Sequence, residues 1–152
     1  MKPIIYGPKF MWNLDSSVGK GANNSNRTDV SFVQWYYVLS SEFHLTEPAA
    51  KAVYRRVSIT GTCTGQDSDP LVQSIMSQQR ATNHPMVDGK VSVVTGDGRV
   101  GGQTAFFLLR LEARLAVMYP DKWPRLDLIP RCPGSVADIA REAIPSMAEL
   151  MR

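Results

Sequence analysis

The chain has 152 residues, 43% of them hydrophobic and 20% charged, which is enough to bury one core and too apolar for a disordered segment. Seventeen basic against fourteen acidic residues leave a net charge of +3, too small and too evenly spread to point to nucleic acid. The longest apolar run, Ala105 to Leu109, is far too short to span a bilayer, so no membrane partner is expected.

In chain order, residues 1–28 are rich in Gly, Asn, Ser and Pro and read as an N-terminal loop segment anchored by Phe10, Trp12 and Leu14. Pro3, Gly7, Pro8 and Lys9 interrupt the run of roughly 7–15 apolar residues that a secretory signal needs, so none is expected here. Gly19 to Asn26 is a loop by composition. With no strand before it and no Lys-Ser/Thr, Gly19-Lys20-Gly21 does not read as a phosphate cradle.

A helix follows, capped at Thr28 or Asp29. Val30, Val33 and Tyr37 form one row on it, and Phe32, Tyr36, Leu39 and Phe43 a second, so it packs on more than one side. Trp35, Tyr36 and Tyr37 are either core aromatics or a stacking platform, with at least one of the three expected to stay partly exposed. Residues 49–57 read equally as a short helix after Pro48 or as an approach to a strand at 57–59. Residues 61–68 are a polar loop. Asp69-Pro70 predicts the next helix, with the cap at Asp69 and a buried stripe of Leu71, Val72, Ile75, Met76 and Gln79 running to Arg80.

Two Asp-Gly turns, at 88–89 and 97–98, bracket strand-type residues at 91–95 and predict a short hairpin. Thr104 is the expected cap of a helix whose stripe is Leu108, Leu111, Leu115 and Met118, with Arg110, Glu112 and Arg114 off it. Four prolines, at 120, 124, 130 and 133, predict an extended connector over 119–134. Ser135 should then cap a last amphipathic helix carrying Val136, Ile139, Ala140 and Ala143. That helix stops at Pro145, with a further turn open to residues 146–151. The fold class is mainly α, with a small hairpin and an additional C-terminal helix.

Little here points to catalysis. Cys63, Cys132, His44 and His84 lack zinc-ligand spacing, so neither a metal nor a cofactor is expected. The two cysteines read as unpaired loop thiols, or as one bridge in an oxidising compartment. Glycan hydrolysis needs two carboxylates across a cleft, and Glu42, Glu47, Asp67, Asp69 and Asp97 fall in loops or near helix ends with no motif joining them. Cys63 lacks the setting that would activate a thiol toward His44 or His84. No catalytic residue is assigned.

Four short segments, in order, resemble the peptidoglycan-binding-domain-1-like (PGBD-like) superfamily. Asp29-Val30-Ser31-Phe32-Val33-Gln34 is similar to its opening D-V-x-x-[VL]-Q helix, and Leu71 to Gln79 to its second helix. Val87-Asp88-Gly89-Lys90-Val91 resembles the D-G-x-[VI] loop, and Gly101-Gly102-Gln103-Thr104 the start of the third helix. The lead-in Ser17 to Asn23 is also similar. The likeness covers roughly residues 16–118. It departs from the family at Met76 and Gln78-Gln79, where an aromatic-glutamine pair is usual, and at 41–68, which reads as an insertion. Asp97-Gly98-Arg99-Val100-Gly101 also fits the loop motif.

The resemblance implies a compact three-helix bundle over 29–118, followed by the connector and helix of 119–152. It also implies a non-catalytic protein that binds bacterial cell wall, through the glycan or the stem peptide of peptidoglycan. Candidate contacts are Gln34, Trp35, Tyr36, Arg80, Asp88, Gly89, Asp97, Gly98 and Arg99. Such a protein would be cytoplasmic as made and would reach the periplasm or wall through an injection machine or a phage particle. A toxin or a secretion or tail component would be its partner through 119–152. The alternative is a protein–protein adaptor that keeps the fold without the wall ligand and docks through 41–68 and the tail.

Overall fold

The computed structural model describes residues 1–96 and 106–152, together with the strand backbone at 99–100 and 103–104. Its elements are β1 (Lys2–Tyr6), β2 (Lys9–Asn13), β3 (Val18–Gly19), α1 (Arg27–Glu42), α2 (Pro48–Tyr54), α3 (Pro70–Ala81), β4 (Lys90–Val91), β5 (Arg99–Val100), β6 (Gln103–Thr104), α4 (Phe107–Met118), a 3-10 turn (Leu126–Leu128), α5 (Gly134–Glu142) and α6 (Ile144–Leu150). The protein is mainly α. Its described strands pair only as two-stranded antiparallel ribbons, β1–β2, β3–β4 and β5–β6. No described helix is long and apolar enough to cross a membrane.

Everything is built around α1. Its cap is Asn26, whose side chain accepts from the Asp29 N–H at 3.0 Å, rather than Thr28 or Asp29. Asp29 is free for another task. Its Oδ2 accepts from the backbone N–H groups of Asp15 and Ser16, both at 2.8 Å, and its Oδ1 from the Met1 amino group at 3.1 Å. A buried carboxylate met by three donors is stable where a lone one is not. Trp35, Tyr36 and Tyr37 are all essentially fully buried, against the expectation that one would reach solvent. The reason is that α2, α3, α5 and β3 all pack on this helix and leave it no open side.

The N-terminal residues are not a loose loop. β1 and β2 form a hairpin in which Lys2 pairs with Asn13 and Tyr6 with Lys9. Pro3 is compatible with it because an edge position needs no donor there. Met11, Trp12 and Leu14 enter the core. The Trp12 backbone N–H donates to Glu112 Oε1 at 2.7 Å, and its indole N–H to the Pro124 carbonyl at 2.9 Å. The Trp35 indole N–H finds the Pro130 carbonyl, also at 2.9 Å. The proline-rich stretch is therefore part of the body, not a spacer: Leu126 and Ile129 are buried, as are Val136 and Ala140 of α5 and Met147 of α6.

Further starts and turns differ from expectation. α2 settles residues 49–57 as a helix followed by a buried Val57. Asp69 caps α3 as expected, accepting from the Leu71 N–H at 2.9 Å. Residues 90–91 pair with 18–19 rather than folding into a hairpin of their own, and the local ribbon lies at 99–104. Thr104 sits in that ribbon, so α4 begins at Phe107 with no side-chain cap. α5 likewise starts at Gly134, with Pro133 rather than Ser135 in the cap position. Gly19 has φ +116° and lies against the Gly89 carbonyl, so only glycine lets β3 approach the following turn.

Candidate functional site

Those residues named from sequence that the structure describes do not converge. Gln34 and Tyr36, two positions apart on α1, point about 200° apart around the helix. Gln34 is spent on structure: its Oε1 accepts from the N–H groups of Thr60 and Gly61, both at 2.9 Å, and its Nε2 donates to Thr60 Oγ1 at 3.1 Å and the Thr62 carbonyl at 2.9 Å. It clasps the loop after α2 and lines only a small hollow of about 290 Å³. Trp35 offers no face to a ligand, because the core and the Pro130 carbonyl use all of it. Arg80 is exposed but apart from any hollow described below. The Asp97-Gly98 turn and the Arg99 side chain lie outside the described residues.

The Asp88-Gly89 turn is also scaffold. Gln79, buried on α3, donates from Nε2 to Asp88 Oδ1 at 2.9 Å and accepts the Gly89 N–H on Oε1 at 2.9 Å. Asp88 Oδ1 accepts in addition from the Lys90 N–H at 3.1 Å. Asp88 Oδ1 and the Gly89 and Lys90 N–H groups are therefore all committed to the scaffold.

One hollow is larger. A cleft of about 500 Å³ opens among α1, the 43–47 loop with α2, α3 and α4. Tyr36 and Ser40 of α1 lie at its floor with Gln78 of α3, and Thr46 and Tyr54 line it from the loop and α2. One face of α4, Arg110, Ala113, Arg114 and Val117, forms the opposite wall at the i, i+3, i+4, i+7 spacing of a single stripe. Leu45 and Val117, more than 60% exposed, stand at the mouth.

The cleft floor has unmet hydrogen-bonding capacity. Gln78 Nε2 donates to the Tyr36 hydroxyl at 2.6 Å, but Gln78 Oε1 has no partner. Thr46 Oγ1 has none either, and the Ser40 hydroxyl approaches the Tyr36 phenol without reaching hydrogen-bond geometry. Burial raises the Tyr36 phenol above its ordinary pKa, while Ser40, Gln78, Arg114 and Arg110 oppose that rise. The positive field of both arginines thus reaches the cleft floor. Arg114 lies over the Phe43 ring at 5.2 Å, and neither guanidinium has a carboxylate partner among the described residues. Two like charges one turn apart destabilise a helix slightly unless something anionic sits on them.

These arginines are what the sequence reading passes over. The signal was available: Arg110 and Arg114 are an i, i+4 pair with no acid on their face. Glu112, placed by the same reading on the outer side with them, is buried in the core against Trp12.

The carboxylates considered for catalysis are dispersed. Glu42 pairs with Arg131, Asp67 with Lys20 at 2.8 Å, and Asp69 caps α3. Cys63 and Cys132 are free thiols, pushed up mainly by burial to about 11 and about 12, and the groups acting on Cys63 are Asp69 and the Gly65 backbone. His84 is buried, with Nδ1 2.9 Å from the Met86 carbonyl and its ring edge-on to Phe107. Among the described residues no three His, Cys, Asp or Glu side chains gather to hold a metal ion.

No protein-family model, curated protein or solved structure matches this chain.

Proposed function

We propose that this chain is a non-catalytic protein that binds bacterial cell wall, a divergent relative of the PGBD-like superfamily, and that it uses the cleft between α1, α2, α3 and α4. The observation that carries this reading is the α4 stripe of Arg110 and Arg114 facing a floor with unpartnered acceptor and hydroxyl groups. A cleft of this size, largely apolar with a few convergent polar groups, has the form of a ligand site. Peptidoglycan carries carboxylates, amides and small methyl side chains, and each has a counterpart there.

The segments that carry the family likeness also support the reading. The lead-in strand β3 pairs with β4 directly after Asp88-Gly89, and Gln79 of α3 holds that turn, so those segments meet in one place. In this reading the family's three helices correspond to α1, α3 and α4, although α4 packs chiefly on β2 and β4. Segment 41–68, the departure from the family pattern, supplies Leu45, Thr46, Glu47, Ala50 and Tyr54 of the cleft. In this reading the scaffold follows the family pattern, and the cleft draws on a segment that departs from it.

Co-sedimentation with isolated sacculi tests it. The protein should pellet both at low salt and at about 0.15 M, where weak surface attraction is largely screened. The double variant Arg110→Glu/Arg114→Glu should stay in the supernatant at both. Absence of wild-type pelleting at either salt sinks the reading.

A second reading, a protein–protein adaptor, draws on Ile5 of β1 and on Ile144, Leu150 and Met151 on or just after α6, all more than a third exposed. α6 packs against β1, so these residues fall on neighbouring elements. Removing 119–152 does not separate the two readings, because that segment fills the core. Ile144→Glu does: a wall binder keeps sacculus binding, whereas an adaptor loses its partner.

A further inference from the structure

We infer that the cleft takes the peptide of the cell wall rather than its sugar, through a free carboxylate seated on Arg110 and Arg114. This rests on the wall-binding reading above and narrows it to one part of the polymer.

Sugar sites commonly offer an exposed aromatic face against which a ring can stack. Here the aromatics lining the cleft, Tyr36 and Tyr54, are 1% and 4% exposed and show no such face. The apolar lining that remains open is aliphatic and small: Ala50, Ala81 and Ala113, with Leu45 and Val117 at the mouth. Methyl side chains suit that surface, and a pyranose ring edged with hydroxyls does not.

The polar groups specify the rest. Gln78 lines the cleft, and its Oε1, buried there without a partner while Nε2 donates to Tyr36, can only accept, so a ligand admitted to it must bring an N–H or O–H. A peptide N–H does so. Thr46 Oγ1, 92% buried and unpartnered, can donate to a peptide carbonyl. The two guanidiniums, with no acidic partner among the described residues, suit a carboxylate. Glu47 on the opposite side of the mouth disfavours a ligand with several negative charges and favours one bearing both signs. Amide N–H, carbonyl, small methyl groups and one carboxylate describe a short alanine-type peptide end, and the lack of an exposed aromatic face favours it over a muramic acid ring that carries the same groups.

The test is calorimetric titration of the full chain with diacetyl-Lys-D-Ala-D-Ala, the same tripeptide as its C-terminal amide, its L-Ala-L-Ala counterpart, and chitotetraose, alongside sacculus pelleting. Expected are binding of the D-alanine acid, and a roughly tenfold or greater loss on amidation or in Arg110→Gln, Gln78→Leu or Thr46→Val, the scale of one charge-assisted or buried hydrogen bond. Arg110 is exposed, so its variant keeps the fold even if a buried one does not. Sacculus pelleting with no tripeptide binding, equal binding of acid and amide, or binding of chitotetraose overturns the peptide assignment and leaves wall binding standing. Preference for the L-alanine peptide overturns it in favour of a protein C-terminus. No pelleting of sacculi removes the reading beneath it.

Discussion

Gln78 and Gln79 are adjacent on α3 and chemically identical, yet they lie in opposite kinds of surroundings. Gln79 is satisfied at both ends, locking Asp88 and Gly89. Gln78, which lines the cleft, is satisfied at one end only, and its oxygen is buried without a partner. A buried polar group with no partner is costly, and native interiors seldom retain it without a use. The difference separates a residue that holds the fold from one that the proposed function would assign to a ligand. It also shows that neighbouring identical amides cannot be told apart by residue type alone.

The contrast can be broken by substitution. Gln79→Ala has the largest expected effect. It strands the Gly89 N–H and frees the 88–90 turn from α3, costing about 3 kcal/mol in urea denaturation. If stability is unchanged, the clasp is not structural.

Glu112→Gln comes next. Burial holds the Glu112 carboxyl well above its ordinary value, against the opposing effect of the Trp12 N–H, and Oε2 has no partner. The folded chain therefore retains a proton that the unfolded chain releases above the usual carboxylate range. Stability from this group is complete below that range and is lost progressively as pH rises toward the raised folded value. Glutamine keeps the shape without the charge. The variant should match wild type at acidic pH and exceed it increasingly through neutrality, seen as diverging melting temperatures. Parallel curves would mean that Glu112 is ionised in the fold.

Gln78→Leu should change stability least, by about 1–2 kcal/mol, because it strands the Tyr36 hydroxyl but also removes an acceptor that has no partner. A loss as large as that of Gln79→Ala would erase the distinction between the two amides.

Much of this architecture was legible from residue order. The Asp69-Pro70 start, the stripe Leu108, Leu111 and Leu115, and the mainly α class all follow from local rules. What was not legible was non-local. Asn26 takes the cap because Asp29 is claimed by Asp15, Ser16 and Met1, and no window of a dozen residues contains that competition. The hairpin at 2–13 was hidden because Pro3 and Pro8 suppress the strand signal, while Trp12 finds its partners at 112 and 124. The aromatic triplet of α1 looked like a surface because periodicity gives the breadth of a buried face but not how many neighbours arrive to cover it. The proposed cleft was missed for a related reason. It is defined by hydrogen bonds not made, and a sequence displays only donors and acceptors.

The tie between Trp12 and residues 112 and 124 also bears on how the chain acquires its structure. A two-stranded ribbon closes in microseconds from neighbouring residues, but alone it is at best marginal in water. Its anchors lie about a hundred positions downstream, so its commitment must await loop closure across most of the polypeptide. During synthesis the hairpin emerges well before residues 112 and 124, which secure it. Until then Met11, Trp12 and Leu14 remain uncovered, and this interval is when the nascent chain is most open to association with its own copies.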